Sequence, residues 1–448
     1  MKALILAAGH GMRQRANGGS KPLIPVLGIS LLERAIMSAK KAGITTFCIV
    51  TGYNGDKIRN RLEDGKKYGV EIVYVQNDAW DRGNGISALK AQNYFREPFI
   101  LLMSDHIYDC RILDSLLTTN VAKDECILCI DRNFPRYLSM DDATKVLTDD
   151  SKIKEIGKNL KNYNGIDSGI FLCNPIIFGA LEESIRKGDD TLTGGIRILA
   201  ESNKMRCKII DGNFWTDVDD DKDLKTAERL LCQNCKKDTD GPVSKIINRP
   251  ISLRLSKILL KTGITPNQIS LLSFIIGISG ASLFFLGEYF YLILGGILVQ
   301  IHSIIDGCDG EVARLKLRET KYGAWFDAVL DRYVDAAIIL GLTYGYWSIN
   351  NGSLIWVIGF VALIGSFLNS YTGDKYDSIF RNENRANRPK IRIGRDVRLL
   401  LITIGALTNQ IPILLVIVAV LANFEALRRL IVFRGKLDNN PLSTQIIN

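Results

Sequence analysis

Between Ile269 and Leu286 the chain carries no charged side chain. At about 1.5 Å of rise per helical residue this run crosses most of a hydrocarbon core of about 30 Å. In lipid such a segment has to be helical, because a helix satisfies its own backbone polar groups. Further apolar runs follow at 289–305, 324–347, 354–372, 397–408 and 411–433, so about six spans are expected, the run at 397–408 being short. This makes the second half of the chain an all-α membrane domain. Residues up to about Asp240 have near-average composition.

The second and third runs carry acids. The stretch Asp306-Gly-Cys-Asp309-Gly310-Glu-Val-Ala313-Arg314 is followed at fixed distances by Gly323, Asp327 and Asp331. On helices Asp306 and Asp309 share a face, and so do Asp327 and Asp331. Carboxylates at a membrane edge are expensive and usually functional. Four of them converging call for an oxygen-loving divalent cation such as Mg²⁺. Asp335 continues the same face and reads equally as a polyol contact or a paired, buried carboxylate.

Loop charge gives the orientation. The turns near 287–288, 348–353 and 409–412 contain no Lys or Arg. The opposite loops hold Arg314, Lys316, Arg318 and Lys321, then Lys375 and a basic series from Arg381 to Arg398, with Arg428, Arg429, Arg434 and Lys436 at the end. Positive loops stay in the cytoplasm, so the first half and the acid cluster are expected there. The net charge of +9 is explained by this bilayer contact rather than by nucleic acid. Ile251–Leu260, with Arg254, Lys257 and Lys261 among Ile and Leu, reads as a basic interfacial helix. Residues 233–250, with two Pro-containing breakers, are the expected linker between domains at 1–232 and 251–448. The nine cysteines are scattered and suggest no disulfide framework. Met1 leads directly into a core strand, so no signal peptide is expected.

In the first half, apolar runs at 2–8, 46–51, 71–75, 99–103 and 127–130 alternate with helical patterns such as Leu31–Ala42. That alternation predicts a doubly wound α/β domain, with ligands beyond the carboxyl ends of strands. The first run empties into Gly9-His10-Gly11-Met12-Arg13, with Lys21-Pro22-Leu23 after a Gly/Ser-rich loop. Glycines admit phosphates close to the backbone, and Arg13 and Lys21 offset their charge. Asp105 ends the run at 99–103, and Asp217 and Asp219 occur late, before an acidic helix start.

Two resemblances follow from these residues. The spacing D-x2-D-G-x2-A-R-x8-G-x3-D-x3-D resembles that of the CDP-alcohol phosphotransferases, and every fixed position is matched. The resemblance implies metal binding by Asp306, Asp309 and Asp327, with Asp331 as the general base or a ligand of a second metal. It implies a CDP diphosphate cradled by Gly310, Ala313 and Arg314, nucleotide contacts from Thr265 and Asn267, and a homodimer. Arg388 and Lys390 are candidates for an acceptor phosphate, although topogenic charge explains them equally well. The pattern L-A-A-G-x-G-x-R with K-P-L resembles the sugar-phosphate nucleotidyltransferases. There the loop (Ala7, Ala8, Gly9, Gly11) and the catalytic cations Arg13 and Lys21 would hold a nucleoside triphosphate. Gly83, Gly85 and Ser87 would belong to a base-recognition loop and Asp167 to the acceptor pocket. Asp105 and Asp217, with Asp219 as a co-ligand, would hold Mg²⁺, or Mn²⁺ in its place.

The fusion itself resembles the bifunctional enzymes of thermophilic prokaryotes that join an inositol-1-phosphate cytidylyltransferase to a di-myo-inositol phosphate phosphate synthase. It implies CTP and inositol-1-phosphate as substrates, with CDP-inositol passing from one half to the other. Another CDP-polar-alcohol synthase, coupled to a phospholipid or polyol-phosphate synthase, would show the same motifs. A transporter or sensor would also place acids in spans, but would give Gly310, Ala313 and Arg314 no reason to sit at that spacing.

Overall fold

In a computed structural model, residues 1–10, 20–135, 137–235, 240–379 and 394–438 are described. The chain separates into two compact units, Met1–Gln233 and Asn234–Asn448.

The strands of the first unit are β1 (Lys2–Ala7), β2 (Pro25–Val26), β3 (Ile29–Ser30), β4 (Thr46–Thr51), β5 (Glu71–Gln76), β6 (Phe99–Met103), β7 (His106–Tyr108), β8 (Cys126–Asp131), β9 (Lys145–Asp149), β10 (Lys152–Gly157), β11 (Gly165–Cys173), β12 (Met205–Ile209) and β13 (Trp215–Asp217). Its helices are α1 (Leu31–Lys41), α2 (Gly55–Leu62), α3 (Asn84–Lys90), α4 (Cys110–Leu117), α5 (Ile176–Arg186), α6 (Leu192–Glu201) and α7 (Asp221–Asn234).

Nine strands form one sheet in the order β5-β4-β1-β6-β11-β8-β12-β10-β9. Alternate residues of one strand go to opposite cores. Leu4, Leu6, Val50 and Leu101 pack with α3, α5 and α6, whereas Ala3, Ile5, Phe47 and Ile100 pack with α1, α2 and α4. A strand covered on both faces has to be apolar throughout, which is why these runs show no polar alternation. The run β5-β4-β1-β6 is parallel. Beyond it the sheet is mixed, because β11 runs antiparallel to β6 and β8, and β9 and β10 form a hairpin. Only two residues, Asp150 and Ser151, join that hairpin; a parallel crossover needs a dozen or more.

The second unit is all helical: α8 (Arg249–Leu259), α9 (Pro266–Phe284), α10 (Tyr289–Leu315), α11 (Lys321–Asn350), α12 (Leu354–Ile379), α13 (Arg395–Leu407) and α14 (Ile411–Asp438). Among the described residues, four helices are long and apolar enough to cross a bilayer: Pro266–Phe284, Tyr289–Leu315, Leu354–Tyr376 and Ile411–Val432. The expected count of six is therefore not reached by length and composition. Helix α11 is long enough but carries its acids, and α13 at about 1.5 Å per residue spans only about 20 Å. Helices α9 and α10 touch backbone to backbone, since a Cβ on Gly295 would lie 2.9 Å from the Gly280 carbonyl oxygen. Small residues permit that approach where no hydrophobic driving force joins helices.

Residues 244–248 form a single wide helical turn and Pro250 occupies the first turn of α8, so the end of the expected linker is helical. Proline is tolerated there because the first amides of a helix have no intrahelical partner. Helix α8 turns its polar side inward. Glu311 of α10, fully buried, accepts hydrogen bonds from Ser252 Oγ (2.7 Å), Ser256 Oγ (2.7 Å) and Arg249 Nη1 (2.5 Å). Ile251, Leu255 and Ile258 are exposed on the outside.

Candidate active sites

In the first unit β1 and β6 lie side by side and end together, so Gly9 and Asp105 leave the same sheet edge. Asp105 lies two residues beyond β6, and the Val218 amide donates to its carbonyl, which ties the β13 segment alongside. Asp217 then pairs with His106 across the β13–β7 ladder. The Lys21 ammonium sits between two acids, 2.5 Å from Asp105 Oδ2 and 2.6 Å from Asp219 Oδ1. His106 Nδ1 lies 2.8 Å from Asp105 Oδ1.

Charge follows from this packing. Burial lowers the pKa of Lys21, but Asp105 and Asp219 outweigh it and raise it. Burial pushes Asp105 upward, yet Lys21 and His106 win and hold it well below the usual carboxylate range. Asp217, half-buried and beside two other acids, is raised. Two carboxylates held by one ammonium, with Asp217 close by, fit a site for a phosphate-bound divalent cation: Lys21 marks where positive charge belongs. The structure joins Asp219, rather than Asp217, to Asp105 through Lys21.

Beside this group opens a cleft of about 860 Å³, lined by Asp105, His106, Asp167, Asp217 and Asp219 among others. Asp167 Oδ1 accepts from the Gly169 amide at 2.7 Å, and burial raises its pKa to about 6. Gly83 and Gly85 start α3, but their missing side chains are explained by Asp190: a Cβ on Gly85 would lie 2.7 Å from its carbonyl oxygen. Ser87 is buried and its Oγ accepts from Asn77 Nδ2 at 3.0 Å. Ala7 and Ala8 are buried at the end of β1. Gly11 and Arg13 lie outside the described residues. Sequence reasoning missed the rings beside the loop. His10 meets Tyr53 at 4.0 Å between centroids and Trp80 at 5.8 Å, residues far apart in sequence with no spacing to announce them.

In the second unit α10 brings Asp306 and Asp309, and α11 brings Asp327 and Asp331. The side chains of Asp309 and Asp327 contact one another. Asp309 Oδ2 also accepts from Ser270 Oγ of α9, and Asp309 Oδ1 from the Gly310 amide. Two touching carboxyl groups repel unless a shared proton or a cation lies between them, and their oxygens fit the divalent ion expected there. Arg314 Nε is buried with no hydrogen-bond partner, and Gly310 leaves room beside its guanidinium, where a Cβ would lie 3.0 Å from Nη1. An orphaned guanidinium donor next to two small residues fits a diphosphate. Thr265 caps α9 in a capping box with Gln268, and Asn267 faces Gly323, whose Cβ would lie 3.2 Å from Asn267 Oδ1. Ala313 is half-buried on α10. Arg388 and Lys390 lie outside the described residues.

Three arginines read as loop charge prove to be internal. Arg395 and Arg398 lie in the first turn of α13 and reach Asp335, with Arg395 Nε 2.9 Å from its Oδ1 and Arg398 Nη2 3.0 Å from its Oδ2. Asp335 is thus a paired, buried carboxylate. Arg429 is likewise buried on α14, donating to Asn369 Oδ1 at 2.6 Å. Buried arginines at a helix start cannot be told from loop charge by counting.

The fold and these sites define a nucleotidyltransferase joined to a CDP-alcohol phosphotransferase. The nucleotidyl transferase family matches residues 2–234, and the CDP-alcohol phosphatidyltransferase family matches residues 263–432. The chain is 36% identical over 443 residues to a bifunctional IPC transferase and DIPP synthase of Rubrobacter xylanophilus, covering 96% of each chain. It is 35% identical to that of Aquifex aeolicus, covering 95% of this chain and 96% of the relative. A solved inositol-1-phosphate CTP transferase from T. maritima is 25% identical, covering 51% of this chain and 94% of that chain with a TM-score of 0.46. The chain belongs to the family of bifunctional IPC transferase and DIPP synthases.

Proposed function

We propose that the first unit transfers a cytidylyl group from CTP to inositol-1-phosphate, releasing pyrophosphate, and that the second consumes the resulting CDP-inositol. In the first step a phosphate oxygen of inositol-1-phosphate attacks the α-phosphorus of CTP, with Lys21 holding phosphate charge and Asp167 accepting from an inositol hydroxyl. Placement and charge neutralisation suffice, so no protein nucleophile is required. In the second step Asp331 takes the proton of a hydroxyl on another inositol-1-phosphate. That oxygen attacks the β-phosphorus of CDP-inositol and CMP leaves, giving di-myo-inositol phosphate phosphate. Arg314 holds the diphosphate. Mg²⁺, or Mn²⁺, held by Asp105 with Asp217 or Asp219, and by Asp306, Asp309 and Asp327, would supply the charge neutralisation both displacements need.

One observation carries this reading: each unit holds its own acid-and-cation site, in a chain that aligns with a two-activity relative over 96% of its length. Purified protein with CTP, Mg²⁺ and a panel of polyol phosphates tests it. Asp105→Ala is expected to abolish pyrophosphate release and to spare CMP release from supplied CDP-inositol, and Asp331→Ala to do the reverse. Loss of both activities in both folded variants would defeat the two-site reading. Turnover of some other polyol phosphate would replace inositol and leave the reaction classes standing.

The second unit is read as lying in a bilayer as a homodimer, with both sites on the cytoplasmic side. Support for the bilayer and the orientation comes from the turns at 287–288, 348–353 and 409–412, which contain no Lys or Arg, and from the exposed apolar side of α8; the homodimer rests on the family resemblance. Labelling of single cysteines placed in those turns, from outside intact cells, checks the orientation.

A further inference from the structure

In the first unit one ring nitrogen faces the cleft with nothing to bond. The His106 side chain is largely buried, and its Nδ1 lies 2.8 Å from Asp105 Oδ1, a carboxylate oxygen that accepts. Nδ1 therefore carries the hydrogen, and Nε2 has no hydrogen-bond partner among the described residues. His106 lines the cleft of about 860 Å³ together with Asp167, Gly169 and Trp215.

The ring is held in place from several sides. It is stacked on the Trp215 indole, with 6.2 Å between centroids and 11° between planes. That indole is itself fixed, its Nε1 donating to Oδ2 of buried Asp131 at 2.9 Å. At the Nε2 edge lies Gly169, with φ +71°, where a Cβ would come within 2.6 Å of Nε2. A side chain there would take the place of the imidazole, so the glycine leaves this edge its room. The Gly169 amide also donates to Asp167 Oδ1, so Asp167 and the edge of His106 meet at one residue.

A hydroxyl suits Nε2, because it can donate to the bare lone pair and can accept once the ring is protonated. An ionised phosphate oxygen, which only accepts, meets the nitrogen in one of those two states alone. We propose that His106 determines polyol specificity in the first unit: its Nε2 bonds one hydroxyl of the polyol phosphate, beside the hydroxyl taken by Asp167. The inference rests on the cytidylyltransferase reading of that unit.

Pyrophosphate release by the full-length chain in detergent tests it, with CTP, Mg²⁺ and either inositol-1-phosphate or its monodeoxy analogues. A polar group left without its partner costs about tenfold or more in kcat/KM, and wild type is expected to lose that factor on the analogues lacking the two bonded hydroxyls. His106→Asn keeps an N–H for Asp105 and has nothing at the Nε2 position. Its KM for inositol-1-phosphate is expected to rise about tenfold while its KM for CTP stays within about twofold. It is also expected to use one of those analogues as well as inositol-1-phosphate itself. His106→Gln, whose amide reaches the Nε2 position, is expected to restore the KM.

An Asn variant that rejects the same analogues as wild type by the same factors overturns the proposal, and so does a wild type indifferent to every missing hydroxyl. A rise in KM for both substrates with a lowered thermal midpoint marks a merely structural role and overturns it as well. Should His106→Asn not fold, His106→Ala takes its place, with the same expected loss of discrimination. A wild type that releases no pyrophosphate with any polyol phosphate defeats the cytidylyltransferase reading itself, and the role of His106 falls with it. Turnover of a different polyol phosphate moves the same comparison to the deoxy analogues of that compound.

Discussion

At the scale of single residues, chemistry here depends on where burial sets a charge. Asp167 has a pKa of about 6 in place of 3.8 because its cleft disfavours the charged form. An acid raised on folding stabilises the fold below its unfolded value, and that contribution is lost as pH rises through about 6. One pH unit is worth about 1.4 kcal/mol, so the loss between pH 4 and pH 7 is about 3 kcal/mol. Asp167→Asn keeps an oxygen for the Gly169 amide and has no charge to bury. Its thermal midpoint in EDTA is therefore expected to exceed that of wild type at pH 7 and to converge with it near pH 4. Parallel profiles would remove the burial argument. The motif aspartates were legible because their spacing is fixed within one helix or a helix pair. His10, Tyr53 and Trp80 were not, since only the loop ends of three different segments bring their rings together.

At the scale of elements, the strand runs at 2–8, 46–51 and 99–103 and the helix from Leu31 fell within a residue or two of the observed ones. Their periodicities are local, and the Ser30–Glu33 capping box marks the start of α1. The interfacial helix was visible as a basic, amphipathic pattern, but its inward side was not. Glu311 sits inside the D-G-E-V-A-R run and looked like one more motif spacer; it is the anchor of α8. Glu311→Ala strands two serine hydroxyls and removes one of the two acids paired with Arg249. Breaking such a buried pair costs on the order of 3 kcal/mol. The thermal midpoint of the second unit in detergent is expected to fall accordingly, while pyrophosphate release from the first unit stays unchanged. An unaltered midpoint would mean α8 docks by its neighbours alone.

At the scale of the whole molecule, each unit has its own core: two clusters on the faces of the sheet in one, and a helical cluster around Phe284, Val299 and Val334 in the other. Residues 1–235 expressed alone are therefore expected to be soluble, to unfold cooperatively and to release pyrophosphate from CTP and inositol-1-phosphate. An insoluble or inactive product would show that the first unit depends on the second. The full-length alignment with a two-activity family agrees with two separable cores.

The sequence by itself determined the two halves, the doubly wound sheet, the helical membrane-type domain and the acids of both candidate sites. Each of these is written in periodicity or in short fixed spacings, which survive without knowledge of long-range contacts. Tertiary structure decided the pairings between distant segments. It joined Lys21 to Asp219 across 198 positions and bound Arg395 to Asp306 and Asp331. It turned Asp335 into half of an ion pair and gave Gly83 and Gly85 a packing reason in Asp190. A charge in a sequence shows only that it must be satisfied; which partner satisfies it depends on what the fold brings within about 3 Å.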